Sequence, residues 1–84
     1  MDIEQIDSCL KDLAHLLREK LPDAANETLT DLLRVREYKV ATEILCDLLS
    51  EQDIHISEDI FDKIVRAGQS LGIDSSYWQG IQRT

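Results

Sequence analysis

Glu43, Asp47 and Glu51 recur at every fourth residue, and with Asp53, Glu58, Asp59 and Asp62 they make seven acids between Val40 and Asp62 without one Lys or Arg. Carboxylates in such a pattern have three chemical uses: holding a metal ion, moving protons as an acid–base pair, or receiving the cations of a partner. The first use needs ligands brought to one point. Asp53-Ile54-His55 lacks the glycine and the oxygen-ligand register of a calcium loop. His15 and His55 have no second His or Cys at ligand spacing. The second use needs paired carboxyls in a cleft, and neither these nor a Ser-centred elbow or Gly-rich phosphate loop can be identified. No catalytic, cofactor-binding or metal-binding residue is therefore expected, and the chain is not expected to be an enzyme. The third use remains, beside the plain alternative of a solvated acidic face.

The elements that must position these residues are helices. Ile3, Ile6, Leu10, Leu13 and Leu17 step by threes and fours, which predicts an amphipathic first helix. Its apolar stripe serves either a core or a homodimer through that helix. Leu21-Pro22-Asp23 is expected to stop it, because Pro22 has no N–H and pushes Leu21 out of the helical region. Asp23 reads as the cap of a second helix bearing Ala25, Leu29, Leu32 and Leu33. Arg34-Val35-Arg36 contains no Gly or Pro, so this helix and the next could run on as one bent helix.

The third helix is expected over Glu37 to Glu51. At about 100° per residue, Tyr38, Ala41, Ile44, Leu45, Leu48 and Leu49 fall on one face. Glu43, Asp47 and Glu51 fall opposite, within about 80° of one another, with Val40 beside them. Asp53-Ile54-His55-Ile56 alternates polar and apolar residues, as an extended connector does when every second side chain turns inward. Ser57 caps a fourth helix whose Glu58 and Asp59 suit the positive end of the helix dipole. Ile60, Phe61, Ile64, Val65 and Leu71 form its apolar side. Leu71-Gly72-Ile73 predicts its end, with Gly72 in the left-handed position and Ile73 folding back. Asp74 then caps a short turn holding Tyr77 and Trp78. The fold class is all-α: a single domain over residues 1–84, a compact bundle of four helices plus a short C-terminal helical turn.

Size and charge bound what such a domain can do. Eighty-four residues with 17 acids against nine bases carry a net charge of −8. A folded chain of this mass exposes roughly 5,100 Å², enough for one core but not for a deep cleft as well. Nucleic-acid binders need cations to displace counterions from phosphates, and anionic membranes repel an acidic surface, so both partners are excluded. Cys9 and Cys46 stand among apolar helical neighbours, as buried free thiols do. Met1-Asp2-Ile3-Glu4 carries acids where an export signal carries Lys or Arg, and the expected location is cytoplasmic.

Within the acidic stretch, Asp59 and Asp62 have Lys63 and Arg66 four residues on, so those charges are expected to be partly answered internally. Asp47 and Glu51 have no such partner, and Lys39 stands in the less favourable orientation to Glu43. An apolar spot among unanswered acids suits a basic protein partner that supplies the cations on binding. The candidate partner-binding residues are Tyr38, Val40, Glu43, Asp47, Glu51 and Asp53. Tyr77 and Trp78 are a second choice, as aromatic types enriched in interface anchors, although the only Trp of so small a chain is more often a core residue.

One motif points elsewhere. Leu71-Gly72-Ile73-Asp74-Ser75 resembles the Gly-x-Asp-Ser attachment site of acyl carrier proteins, which are also small, acidic and helical. In that family the serine opens a long helix near mid-chain. Here nine residues follow Ser75, and Ser76-Tyr77 replaces the expected Leu. A small acidic carrier or non-inhibitory adaptor is the alternative reading.

From Glu37 onward the sequence resembles the MafI-type family of small bacterial immunity proteins and its relatives in contact-dependent inhibition. The residues are Glu37-Tyr38, Ala41, Glu43-Ile44-Leu45-Cys46-Asp47-Leu48-Leu49, Glu51, Asp53-Ile54, Ile56-Ser57, Leu71-Gly72-Ile73-Asp74 and Tyr77-Trp78. They cover about half the chain; the first 35 residues carry no part of the likeness, and Val35-Arg36 stand where many members place a small or turn-forming residue. The resemblance implies an antidote encoded beside a secreted toxin. Such antidotes bind the toxin's C-terminal domain, often a nuclease of the EndoU ribonuclease class, as a 1:1 heterodimer. A ribonuclease presents a basic groove to RNA, and an acidic helix can stand where the phosphates would lie.

Overall fold

The computed structural model describes residues Met1–Thr84 and comprises five helices: α1 (Ile3–Leu17), α2 (Asp23–Arg34), α3 (Tyr38–Glu51), α4 (Glu58–Ser70) and α5 (Ser76–Gln79). Each boundary has a local cause. Asp2 and Gln5 form a reciprocal capping box at the start of α1, with the Gln5 N–H donating to the Asp2 carboxylate at 2.8 Å. Ser57 caps α4 by accepting from the Ile60 N–H at 3.2 Å. Gly72, at φ 72°, ends α4 in the left-handed conformation, and the Ile73 N–H returns to the Gly68 carbonyl at 2.9 Å.

One boundary departs from the sequence expectation, and a second that the sequence left open is settled. α1 ends at Leu17, short of the proline, and Pro22 itself takes the N-cap position of α2, with Asp23 as the first helical residue. The extended backbone of Pro22 (ψ 152°) already occupies the half-helical site, so Asp23 serves the helix dipole and not the cap. α2 and α3 are separate helices. Arg36 adopts φ 61° between them, and the Glu37 N–H donates to the Leu32 carbonyl at 2.9 Å, the same closing geometry that Gly72 provides for α4.

α1 and α3 make the centre of the bundle. α1 packs on α2, α3 and α4, whereas α3 packs on α1, α2, α4 and α5. The pairing of α1 with α4 is antiparallel: Met1 N meets Ser70 Oγ at one end, and Cys9 Sγ donates to the Lys63 carbonyl further along. The core runs from Ile6, Leu10, Leu13 and Leu17 through Tyr38, Leu45 and Leu49 to Ile56, Ile64 and Trp78. The stripe that could have served a first-helix homodimer is thus consumed inside one chain. Ile3, expected with it, is exposed, because the first turn of α1 sits level with the end of α4. On α4 only Ile64, Ala67 and Gly68 are fully buried, whereas Ile60, Phe61, Val65 and Leu71 pack half-exposed against the core.

Gly68 has a packing reason. A Cβ there would collide with the Trp78 ring, so only glycine lets the indole approach the α4 backbone this closely. The last residues then close the bundle: Ile56 donates to the Gln82 carbonyl at 3.0 Å and accepts from Thr84 N at 2.9 Å, while Ile81 is buried. The folded surface is 5113 Å², matching the scaling expectation. No helix is long and apolar enough to cross a membrane.

Candidate functional site

α3 is held by its inner face. Tyr38, Ala41, Thr42, Leu45, Cys46 and Leu49 are buried, and the Thr42 hydroxyl donates to the Tyr38 carbonyl at 2.8 Å. That leaves the opposite side pointing outward, where Val40, Asp47 and Glu51 are exposed and Glu43 is half-buried. Successive acids four residues apart stand about 6 Å apart along the axis. The ion pairs made by Lys and Arg are Asp7–Lys11, Asp31–Arg34 and Glu58–Arg83, and Asp53 also lies 3.6 Å from the His55 imidazole. None involves Glu43, Asp47 or Glu51, so three carboxylates share one helix face with no cation against them.

The remaining acids of the 40–62 stretch behave differently from one another. Asp59 and Asp62 form no ion pair with Lys63 and Arg66, contrary to expectation. Glu58 instead meets Arg83 at 3.7 Å, and that guanidinium also lies 4.2 Å from the centroid of the Phe61 ring. The stretch is base-free along the chain but not in space, because the C-terminal residues bring a cation back to the start of α4. Asp53 has a conformational role: at φ 52° it is the left-handed residue that ends α3, with the Ile54 N–H returning to the Leu49 carbonyl at 3.0 Å.

The aromatic candidates divide. Tyr38 is 4% exposed, and its hydroxyl donates to Asp7 Oδ1 at 2.6 Å, so it is a core residue that ties α3 to α1 and not a surface anchor. This hydrogen bond, with Lys11 at 2.9 Å, holds the Asp7 carboxyl below the usual carboxylate range, and the same bond raises the Tyr38 phenol. Trp78 is likewise in the core, at 8% exposure. Tyr77 is half-buried and lines a shallow groove of about 290 Å³ between α3 and α5, together with Asp47, Ser50, Glu51 and Ser76. The structure therefore brings Val40, Glu43, Asp47, Glu51 and Tyr77 to one side of α3 and removes Tyr38 and Trp78 from it.

Sequence reasoning missed the other flank. Ile44 and Leu48, assigned there to the core, are only half-buried and form one wall of a groove of about 320 Å³ between α2 and α3. The missed signal was the i+4 row Val40, Ile44, Leu48, which runs beside the acid row. The largest concavity, about 770 Å³ between α1 and α2, mixes Arg18 and Arg34 with Asp23, Glu27 and Asp31 and so presents no single charge.

The two thiols are free. Burial pushes that of Cys46 up to about 12, with the Asp47 and Glu43 charges adding to the effect. Ser75 opens a helix of only four residues, and Asp74 accepts from the Ser76 N–H at 2.8 Å. No three His, Cys, Asp or Glu side chains converge on one point. Compared with known proteins, the chain matches no family model, no curated sequence and no solved structure.

Proposed function

We propose that this protein is a bacterial immunity protein that binds and neutralises the C-terminal toxic domain of a secreted or contact-dependent toxin, a basic nuclease of the EndoU ribonuclease class or another RNase. The outward side of α3 is its binding face in a 1:1 heterodimer, and the protein itself performs no catalysis. One observation carries this reading: Glu43, Asp47 and Glu51 form a row of carboxylates that no Lys, Arg or His neutralises. Like charges on one helix face cost stability in the free protein. A partner that brings cations to them recovers that cost on binding and is steered by the same field during encounter. An interface of standard size takes about 800 Å² per partner, which α3 and its two flanking grooves can supply from a surface of 5113 Å².

The test is co-expression with the toxin domain encoded beside the gene, followed by binding kinetics on the purified pair. Growth should be rescued and the two chains should co-purify. Asp47→Lys with Glu51→Lys should weaken binding by at least about tenfold, chiefly through slower association, with the difference shrinking as salt rises. Absence of rescue and of co-purification would remove the reading for that pair. Unchanged affinity in the folded double variant would move the interface off α3.

A further inference from the structure

On α3, Val40, Ile44 and Leu48 form one i+4 row, and Glu43, Asp47 and Glu51 form another. The rows run side by side about 60° apart, so each apolar residue has an acid three positions on. The apolar row does not finish in the core. Val40 is 40% exposed, and Ile44 and Leu48 face a groove whose far wall is Pro22, Ala24, Ala25 and Thr28 of α2. All four of those side chains are short, which lets an incoming backbone approach closely.

We infer that this groove and the adjoining acid row are one docking surface for a cationic amphipathic helix of the partner. Apolar side chains of that helix enter between α2 and α3, while Lys or Arg residues on its neighbouring row meet Glu43, Asp47 and Glu51. The inference rests on the immunity reading above and names the kind of element by which the partner is recognised.

The repeat distances match: acids four residues apart are spaced about 6 Å, as are cations four residues apart on a facing helix. A crossing near the shallow packing angle keeps several such pairs in register. An extended basic segment has a similar side-chain repeat, but binding by strand addition needs a free sheet edge for its backbone. The α2–α3 surface has none, since the sole β-bridge joins Ile56 to Arg83. A second copy of this chain is opposed by charge, because each copy carries −8.

The test uses a synthetic helical peptide with Leu at every fourth position and Lys at every fourth position of the adjacent row. Its control keeps the lysines and replaces each Leu by Ser. In methyl-resolved NMR titrations the Leu peptide should shift Ala24, Ala25, Ile44 and Leu48, and the Ser control should bind roughly tenfold more weakly or worse. Ala24→Gln with Thr28→Gln fills the groove with neutral, exposed, helix-compatible side chains. It should abolish those shifts while leaving the circular dichroism and Tm in place. Equal binding of both peptides, or shifts confined to the Tyr77 side, would overturn the groove. The same variant then separates the two proposals. If the toxin domain binds native protein and the groove-filled variant alike, the groove falls and the immunity reading stands. If the native protein binds the Leu peptide at the groove but not the toxin domain, the immunity reading falls for that pair and the groove stands.

Discussion

At the start of α1 and of α4, Asp2 and Ser57 accept hydrogen bonds from otherwise free backbone N–H groups, and at the end of α4 a glycine takes the left-handed turn. α2 and α3 have none of these devices. They begin at Pro22 and Glu37 with no side-chain cap, and they end through Arg36 and Asp53, which hold positive φ despite carrying a Cβ. The α2–α3 pair also leaves a groove open along the row that Ile44 and Leu48 belong to. Local rules are kept at the ends of α4 and the start of α1, and broken at the ends of α2 and α3.

Ile64 on α4 is fully buried, and Ile64→Ala should cost about 2–5 kcal/mol through lost transfer energy and the cavity left behind. Ile44→Ala, on the half-exposed wall of the groove, should cost less than about 1 kcal/mol, since water already reaches that side chain. Urea unfolding of the two variants measures the gap, and equal losses would mean that the α2–α3 pair is as tightly built as α1–α4.

A smaller effect of opposite sign tests the helix ends. Gly72→Ala should destabilise by about 1 kcal/mol, because a Cβ is strained at φ 72° even with open space around it. Arg36→Gly and Asp53→Gly should each stabilise by about 0.5–1 kcal/mol by relieving that same strain. Thermal unfolding of the three variants reads the signs directly. A loss at Arg36 would give its side chain a stabilising contact that outweighs the backbone cost.

The smallest effect concerns the link between the two pairs, Tyr38 to Asp7. Asp7 is held below its usual 3.8 by Tyr38 and then Lys11, so its contribution is present above pH 3.8 and is lost as pH falls through the lowered value. Tyr38 is held above its usual 10.0 by Asp7, so its contribution is complete below pH 10.0 and is lost as pH rises through the raised value. The difference in Tm between native protein and Tyr38→Phe should therefore be greatest between these limits and narrow at both ends. A difference that stays constant with pH would separate the hydrogen bond from either titration.

Much of the fold was legible because its signals are local. The Ile6–Leu17 stripe, the Ser57 cap and the Leu71-Gly72-Ile73 stop each follow from side-chain chemistry within a turn or two. The Arg36 boundary was not legible, since nothing in an arginine announces left-handed backbone; its conformation is imposed by where α3 must pack. The acid row was legible from its i+4 spacing, but the fate of its neighbours was not. Tyr38 and Trp78 suited a core better than an interface by residue type and position, but only the placement of Asp7 and Gly68 against them decided it.

By itself the sequence determined the all-α class, the helix periods, the row of acids on α3 and its lack of i+4 cations, because all of these depend on residues within one helix. Tertiary structure decided which acids remain unanswered, since Arg83 reaches Glu58 from the far end of the chain and nothing reaches Glu43, Asp47 or Glu51. It also decided that the row beside them opens into a groove, because Ile44 and Leu48 are covered only as far as the short side chains of α2 extend. Contacts across the chain are set by packing the whole core at once, and no spacing within a single helix encodes them.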